Sequence, residues 1–255
     1  MPFEIATVPC LSDNYAFLLH DADTGATALV DAPEAAPIQA ELAARGWSLT
    51  DILITHHHWD HIGGVADLVT ATGAATWGNA ADATRLPPLT HALQPGDPVA
   101  IGDEAGTMID VSGHTIGHVA FHFPASNAVF TADSLMALGC GRLFEGTPDQ
   151  MFASLARLAA LAPDTLVYSG HEYTAANAKF AMTIEPGNPD LILRRDTVAA
   201  ARSANRPTVP STMREELATN PFLRSHITAI KTRLGMAQAS DPEVFAEIRA
   251  RKDKF

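Results

Sequence analysis

The sequence contains few cysteines, few basic residues and no long apolar run. Two cysteines among 255 residues, Cys10 and Cys140, are too few for a disulfide-stabilised secreted scaffold, so we expect a cytoplasmic protein. The first residues show no basic segment followed by an apolar one, so no signal peptide is predicted. No run of about 18 apolar residues exists, so neither a membrane span nor a membrane partner is expected.

Basic residues are scarce and unevenly distributed. The 17 Lys and Arg residues stand against 29 Asp and Glu, and the net charge of −12 argues against a nucleic-acid partner, because phosphate binding needs a basic surface. Residues 1–172 contain 4 basic and 20 acidic residues, whereas residues 173–255 contain 13 and 9, and Lys179 is the first lysine. This shift predicts two domains, 1–172 and 173–255.

Periodicity changes at the same point in the chain. Before residue 172, short apolar runs separated by turn residues predict strands, and three Ala- and Leu-rich segments predict helices (Glu34–Arg45, Val65–Thr72 and Asp149–Leu161). Clustered strands with interspersed helices favour an α/β fold with two sheets and helices outside them. The predicted strands are Phe3–Val8, Tyr15–Leu19, Thr27–Val30, Ile52–Thr55, Val99–Ile101, Thr107–Val111, Val119–Phe123, Ala128–Thr131 and Leu166–Tyr168.

After residue 172 the pattern is helical and is punctuated by prolines. A chain with 47% hydrophobic and 18% charged residues can bury a full core, which excludes disorder of the whole chain. The predicted helices are Ala175–Thr183, Pro189–Asn205, Ser211–Ala218, Ser225–Leu234 and Pro242–Lys252.

Four of the eleven histidines lie together, directly after an apolar strand. Since residues i and i+2 of an extended chain point to one side, His56 and His58 can aim two imidazoles at one point, and His57 should point away. Asp60 and His61 follow where the chain turns toward the next helix. Imidazole and carboxylate together suit zinc, and also iron or manganese. The alternative is an exposed, solvated His-rich loop.

Three further ligand-type residues follow later strands. His114, Asp133 and His171 each come after an apolar strand and one or two small residues. Taken singly, each would more often be a cap or turn residue than a ligand. The threefold repetition of the pattern favours a metal site.

The pattern of these seven residues resembles the metallo-β-lactamase superfamily. Other segments resemble one of its families, glyoxalase II, the hydroxyacylglutathione hydrolases, and the resemblance extends over essentially the whole chain. Those segments are Val8–Tyr15, Gly139–Thr147, Gly170–Thr174, Thr219–Arg224 and the tail with Arg249, Lys252 and Asp253. The resemblance implies an αββα sandwich followed by an all-helical C-terminal domain.

The same resemblance implies a role for each residue. His56, His58 and His114 would hold one divalent metal, Asp60, His61 and His171 a second, and Asp133 would bridge them. Zinc is expected, with iron or manganese as alternatives. The residues at the glutathione-contact positions are Arg142, Phe144, Tyr173, Arg249 and Lys252.

The implied activity is hydrolysis of S-(2-hydroxyacyl)glutathione, S-D-lactoylglutathione above all, by a hydroxide between the two metals. Asp60 would orient the hydroxide, and Asp133 would hold both metals. The partner is then a small glutathione thioester, and we expect a monomer. This reaction needs no nucleophilic side chain. We therefore interpret Cys10 and Cys140 as buried packing residues.

The sequence departs from the family pattern near two ligands. Ala132 stands where the family commonly has Gly, and Ser112–Gly113 stand where it has Cys or Pro-rich surroundings. Arg142 and Phe144 replace a common Lys and Tyr, so the cation is kept but one hydroxyl is lost.

Four rival functions remain open from the residues alone. A β-lactam hydrolase would be expected to carry a signal peptide and to lack the helical tail. A mononuclear sulfur dioxygenase would not need Asp60, His61 and His171, and a phosphodiesterase or nuclease fits poorly with the acidic first 172 residues. The fourth alternative is a non-catalytic metal-binding or regulatory module, but a structural zinc site needs only four ligands and is closed.

Overall fold

The computed structural model describes residues 2–255, which group into two compact units. The first unit comprises the described residues through Asp110 together with Gly117–Thr131, and the second comprises Val111–Ile116 and Ala132–Phe255. Among residues 2–255, no helix combines the length and apolar character needed to cross a bilayer.

A mixed six-stranded sheet forms one layer of the first unit. Its first three strands run antiparallel in chain order, and its third to sixth strands run parallel. Parallel strands place their carboxyl ends at the same edge, where ligand-binding residues of α/β proteins gather. The strands are β1 (Glu4–Cys10), β2 (Asn14–His20), β3 (Thr27–Val30), β4 (Asp51–Leu53), β5 (Ala75–Asn79) and β6 (His91–Leu93).

Three helices accompany this sheet: α1 (Ala35–Arg45), α2 (Trp59–Ile62) and α3 (Val65–Thr72). Ile38 of α1 and Leu68 of α3 join Leu29 and Ile52 of the sheet in one buried cluster. Full burial of such a side chain stabilises the fold by about 1.5–3 kcal/mol. Gly46 ends α1 in the left-handed conformation with a φ of 69°, which glycine adopts without steric penalty.

Four strands of the second sheet form an antiparallel meander. Its strands are β7 (Pro98–Ile101), β8 (Glu104–Asp110), β9 (Val119–Phe123) and β10 (Ala128–Ala132). Phe17 of β2 and Phe130 of β10 pack with ring centroids 5.6 Å apart, so the two sheets share an apolar layer.

The second unit is mainly helical and contains two small antiparallel pairs. The strands are β11 (Leu135–Met136) with β12 (Gly139–Cys140), and β13 (Leu166–Ser169) with β14 (Ser211–Thr212). The helices are α4 (Pro148–Ala159), α5 (Thr174–Ile184), α6 (Pro189–Ser203), α7 (Met213–Thr219), α8 (Thr228–Arg233) and α9 (Asp241–Asp253).

Local sequence explains where α4 begins. Thr147 accepts a hydrogen bond from the Gln150 backbone, and the Gln150 side chain accepts one from the Thr147 backbone. Pro148 occupies the first helical position, where its missing N–H costs nothing. Inside the unit, the Phe245 ring lies 5.8 Å from Phe152 and 5.7 Å from Phe222, which forms an aromatic core.

Several elements differ from the sequence prediction: α2, β11 and β12 were not predicted, and further differences concern β5, β6 and the start of α7. Strands β5 and β6 were not predicted, because Gly78 and Asn79 weaken the apolar pattern of β5 and because β6 has only three residues. The predicted helix at Ser211 begins at Met213, since Ser211 and Thr212 pair with β13. Thr212 then caps α7.

Candidate metal centre

The histidine-rich segment lies in an irregular loop between β4 and α2. Residues 54–58 have no regular secondary structure, and His58 is the extended residue that precedes α2. The loop is anchored by its backbone, since the Val119 N–H donates to the Thr55 carbonyl at 2.9 Å. His56 and His61 are fully buried, which is costly for imidazoles unless each nitrogen has a partner.

The first two histidines of the predicted ligand set face each other. Nε2 of His56 lies 3.2 Å from Nδ1 of His58, and the two rings are nearly perpendicular. The imidazole of His118 stacks on that of His56 with ring centroids 4.4 Å apart. Two converging imidazole nitrogens at this separation fit the coordination shell of one cation.

Asp31 supports the loop from the end of strand β3. Its carboxylate accepts hydrogen bonds from the Thr55 N–H (2.9 Å) and hydroxyl (2.7 Å), and lies 2.8 Å from Nδ1 of His61. An imidazole that donates from Nδ1 to a carboxylate leaves Nε2 as the metal-binding nitrogen. Asp31 has a φ of 57°, a left-handed conformation that Asp tolerates better than most residues.

Asp60 is held from the first hairpin of the chain. The side-chain amide of the buried Asn14 donates to the Asp60 carboxylate at 3.1 Å and to its backbone carbonyl at 3.0 Å. The carboxylate lies 3.8 Å from Nε2 of His61. These contacts fix the side of the loop on which Asp60 presents its oxygens.

Within the second unit, two histidines lie around Asp133. One carboxylate oxygen lies 3.4 Å from Nε2 of His114, and the other lies 3.3 Å from Nε2 of His171. Nδ1 of His114 is 2.7 Å from the Arg142 carbonyl oxygen. Because a carbonyl only accepts hydrogen bonds, Nδ1 carries the proton and Nε2 has the lone pair that can bind a metal. All three side chains are buried. Asp133 therefore brings imidazole nitrogens of two separate segments to one carboxylate.

Glycine is required beside this cluster. A Cβ on Gly141 would lie 1.9 Å from the Asp133 carbonyl oxygen, closer than any packing allows. The Gly141 N–H donates to the Ser134 carbonyl at 3.1 Å. The backbone that leads to Arg142 and Phe144 is thereby held against the strand end that carries Asp133.

The donor chemistry of both clusters fits divalent metals. Each cluster combines imidazole nitrogens with carboxylate oxygens, a set that zinc, iron and manganese accept. In the first unit, donor atoms of Asp31, His56 and His61 lie within 4.8 Å of one another. Burial raises the pKa of the Cys10 thiol to about 12 and also raises that of Cys140, which disfavours the thiolate form of both residues.

The five residues predicted to contact glutathione fall into two groups. Arg142 and Phe144 are exposed on the loop after β12, and Tyr173 is partly exposed. The Tyr173 ring stacks on the imidazole of His171, with centroids 4.6 Å apart and planes 9° from parallel. The Phe144 ring meets His114 edge-on at 5.3 Å.

The two C-terminal cations are less accessible. Arg249 is 6% exposed, and its guanidinium donates to the Cys140 carbonyl (2.9 Å) and to Asp253 (2.9 Å). The ammonium of Lys252 lies 5.2 Å from the Phe180 ring centroid, and burial, followed by the nearby Arg249, lowers the Lys252 pKa. The role of both residues toward glutathione stays a prediction.

Two family models cover nearly the whole chain. Residues 12–171 match the metallo-β-lactamase superfamily, and residues 172–255 match the hydroxyacylglutathione hydrolase C-terminus. The chain belongs to the hydroxyacylglutathione hydrolase family. A protein of that name from Jannaschia sp. strain CCS1 is 67% identical over 99% of this chain and 98% of its own. A second, from Cereibacter sphaeroides strain ATCC 17025, is 64% identical over the full length of both chains.

Solved structures agree on the fold of this hydroxyacylglutathione hydrolase family member. ETHE1 from Myxococcus xanthus is 25% identical and superposes with a TM-score of 0.70 over 98% of this chain and 90% of its own. TTHA1623, solved in a di-iron-bound form, is also 25% identical, with a TM-score of 0.63 over 86% of this chain and 100% of its own. The predicted α/β metallo-β-lactamase sandwich with a helical C-terminal region is therefore confirmed, and so is the predicted family.

Sequence reasoning missed the supporting residues of the site. Asp31 follows strand β3 directly, which is the same pattern of apolar strand and ligand-type residue that identified the predicted ligands. Asn14 and His118 gave no such signal, because their roles depend on contacts to Asp60 and His56 that only folding creates.

Proposed function

We propose that this protein hydrolyses S-(2-hydroxyacyl)glutathione thioesters, with S-D-lactoylglutathione as the physiological substrate in methylglyoxal detoxification. The products are glutathione and D-lactate. Family membership over the full chain supports the reaction class. The single observation that carries the chemistry is the Asp133 carboxylate, whose two oxygens each face a histidine nitrogen.

The proposal assigns seven ligands to two divalent metals. His56, His58 and His114 hold the first metal, and Asp133 bridges it to the second. The second is held by Asp60, His61 and His171. Support comes from the 3.2 Å approach of His56 to His58 and from the Asp31 contact that leaves Nε2 of His61 for a ligand bond. Zinc is the proposed metal, and TTHA1623 in its di-iron-bound form makes iron the first alternative.

When bound, the two cations lower the pKa of a coordinated water to about 7 and polarise the thioester carbonyl. The protein supplies orientation. Asp60, held by Asn14, would direct the oxygen of the attacking water to the carbonyl carbon. The new C–O bond forms, the C–S bond breaks, and the proton lost by the water is taken up by the leaving glutathione thiolate.

The glutathione part is held by side chains from the second unit. Arg142 is exposed, with its Nε 3.6 Å from Asp253, and would pair with the glutathione carboxylates, while Phe144 and Tyr173 would offer apolar ring faces. Lys252 and Arg249 add positive charge in a region, 173–255, where basic residues outnumber acidic ones. A protein of net charge −12 needs such local cations to bind an anion.

The remaining assignments follow the family pattern. We assign catalysis to residues 1–172 and part of glutathione binding to residues 173–255, in line with the family models that meet between residues 171 and 172. A monomer is proposed. A cytoplasmic location is proposed because Cys10 and Cys140 are both free thiols.

The test is a hydrolysis assay with matched substrates. The purified protein should hydrolyse S-D-lactoylglutathione, and a chelator should abolish turnover until zinc is restored. The same lactoyl thioester on N-acetylcysteamine lacks the glutathione carboxylates. It should be a much poorer substrate, because the side chains of Arg142, Arg249 and Lys252 then have no carboxylate to bind. Inactivity toward the glutathione thioester together with turnover of a β-lactam or a glutathione persulfide contradicts the proposal.

Elemental analysis of the same preparation tests the metal assignment. Two zinc ions per chain are expected. A single metal ion in a fully active preparation contradicts the two-metal assignment and leaves the substrate assignment standing.

A further inference from the structure

His57 lies between two predicted metal ligands and contacts a buried carboxylate. Its Nδ1 is 3.4 Å from an oxygen of Asp82, and its side chain is 20% exposed. Because His57 is covalently flanked by His56 and His58 in an irregular loop, an anchor on His57 also restricts where these two neighbours point. The contact therefore bears on the ligand loop although His57 binds no metal.

The carboxylate of Asp82 is buried, which is unusual for a charged side chain. It ends a single 3₁₀ turn, Ala80–Asp82, directly after strand β5, and it is 3% exposed. Burial of a charged carboxylate costs several kcal/mol unless charged or polar groups compensate it. Arg85 is one such group, since its Nε donates to the other oxygen of Asp82 at 2.5 Å. The carboxylate thus has Arg85 on one oxygen and His57 on the other.

The position of Asp82 is fixed by the backbone around it. The Asn79 side chain accepts from the Ala81 N–H and donates to the Gly117 carbonyl, both at 3.0 Å. Gly117 packs so tightly that a Cβ there would lie 2.4 Å from the Asp82 carboxyl carbon. Gly117 thus packs directly against the Asp82 carboxylate, and Asn79 holds the backbone on both sides of that contact.

The sheet order explains why Asp82 faces this loop. Strands β3, β4 and β5 are parallel neighbours, so the segments that follow them gather at one edge. Asp31 follows β3 and holds Thr55 and His61, which secures the loop from one flank. Asp82 follows β5 and meets His57 from the other flank. The loop between β4 and α2 has no regular secondary structure, so its conformation depends on such anchors.

We propose that Asp82, oriented by Arg85, is a positioning residue that locks His57 and thereby sets the direction of the metal ligands His56 and His58. The proposal rests on the proposed two-metal function. It assigns a function to the one histidine of the cluster that the reaction does not use. Outer-shell partners of this kind typically change metal affinity by about 10- to 100-fold.

The experiment measures zinc binding to the metal-free protein by competition with a chromophoric chelator. Asp82→Asn keeps the size of the side chain and removes its charge, and we expect zinc affinity to fall about 10- to 100-fold. Asp21→Asn is the matched control, because Asp21 is equally buried in the same unit and accepts backbone hydrogen bonds from Asp103 and Asp23. The control should leave zinc affinity unchanged. Equal losses in both variants would mean a general structural role and would overturn the proposal.

A double variant separates positioning from structural support. If Asp82 acts through His57, then His57→Gln alone should weaken zinc binding, and the pair Asp82→Asn with His57→Gln should lose no more than the larger single loss. Additive losses, or wild-type affinity in either single variant, overturn the proposal. If Asp82→Asn does not refold, His57→Gln removes the same contact from the opposite side and decides alone.

The readout is independent of the proposed substrate. Zinc affinity is measured without thioester, whereas the proposed function is tested on the wild-type protein with S-D-lactoylglutathione. An inactive wild type that still binds zinc in an Asp82-dependent way would refute the substrate and keep the positioning role. An active wild type whose zinc binding does not depend on Asp82 would keep the substrate assignment and refute the positioning role.

Discussion

The two units present their predicted metal ligands in different ways. In the first unit, His56, His58, Asp60 and His61 lie within one short loop, and their orientation depends on residues from other segments. In the second unit, the ligands come from three separate segments and contact one another through Asp133. The first cluster is thus close in sequence and externally supported, whereas the second is dispersed in sequence and supported by its own central carboxylate.

The largest effect is expected from removing that central carboxylate. Asp133→Ala should lower kcat by more than about 100-fold, beyond the range of outer-shell partners, because both His114 and His171 lose their common neighbour. Elemental analysis should show fewer than two metal ions per chain. Asp149→Ala, an exposed aspartate in the first turn of α4, is the control and should behave as wild type. Full metal content in Asp133→Ala would refute the bridging role.

A smaller loss is expected when the support of the first cluster is weakened. Asp31→Asn keeps the hydrogen-bonding shape but removes the charge beside His61, so zinc affinity should fall about 10- to 100-fold. Chelator competition measures this change. If Asp31→Asn binds zinc as tightly as the wild type, the first cluster does not depend on external support, and the contrast between the units disappears.

A third prediction concerns substrate affinity and its dependence on pH. Lys252→Ala should raise KM about tenfold with little change in kcat, because hydrogen bonds to charged groups contribute about 1.5–3 kcal/mol. Burial, with Arg249 second, lowers the Lys252 pKa below its usual 10.5. Since the ammonium is lost as pH rises through that lowered pKa, KM of the wild type should increase at a lower pH than for an ordinary lysine.

Lys252→Arg provides the control for this pH dependence. A guanidinium keeps its charge throughout the measurable range, so the rise of KM in alkaline solution should disappear. A pH profile that is identical in wild type and Lys252→Arg would remove Lys252 from the binding site.

A fourth prediction concerns Arg249, the other basic residue of α9 that is predicted to contact glutathione. Its guanidinium is already occupied by the Cys140 carbonyl and Asp253, so Arg249→Ala should raise KM by displacing the loop that carries Arg142. We expect the rise to exceed any fall in kcat. Arg251→Ala, whose side chain pairs with Glu247 on the exposed face of α9, is the matched control. Unchanged KM in Arg249→Ala would limit Arg249 to packing.

The smallest effect is expected at Phe144. This ring is 61% exposed and lacks the hydroxyl that the family commonly places there. Phe144→Tyr should lower KM by about two- to tenfold, since a new hydrogen bond contributes about 0.5–1.5 kcal/mol. Steady-state kinetics with S-D-lactoylglutathione measure the change, and an unchanged KM would show that the hydroxyl finds no partner.

The parts of the molecule that could be predicted from the sequence are those that depend on residues close to one another in the chain. The family, the two sheets and most helices follow from short-range patterns, such as the histidine cluster after β4 and the capping residues around Thr147. Strand β5 was missed because Gly78 and Asn79 interrupt its apolar run, and with it Asp82 was missed as a neighbour of His57.

Long-range contacts account for the rest. The burial of Arg249 against Cys140 joins residues 109 positions apart, and no local pattern indicates it. The backbone of Ala132 is a second feature that no local pattern indicates. Its φ of 41° is left-handed, a conformation that favours glycine, and this explains why glycine is common at this position in the family. The seven metal ligands stay a prediction that Asp133→Ala and elemental analysis decide.

The parallel stack of Tyr173 on His171 has a consequence for redesign of this enzyme family. The Tyr173 ring is 39% exposed, and it packs against the imidazole of the predicted ligand His171. Substitutions chosen to alter acyl preference at this position would therefore disturb metal retention as well. Selection for new substrates should succeed sooner at Phe144, whose exposed ring can change size without that penalty.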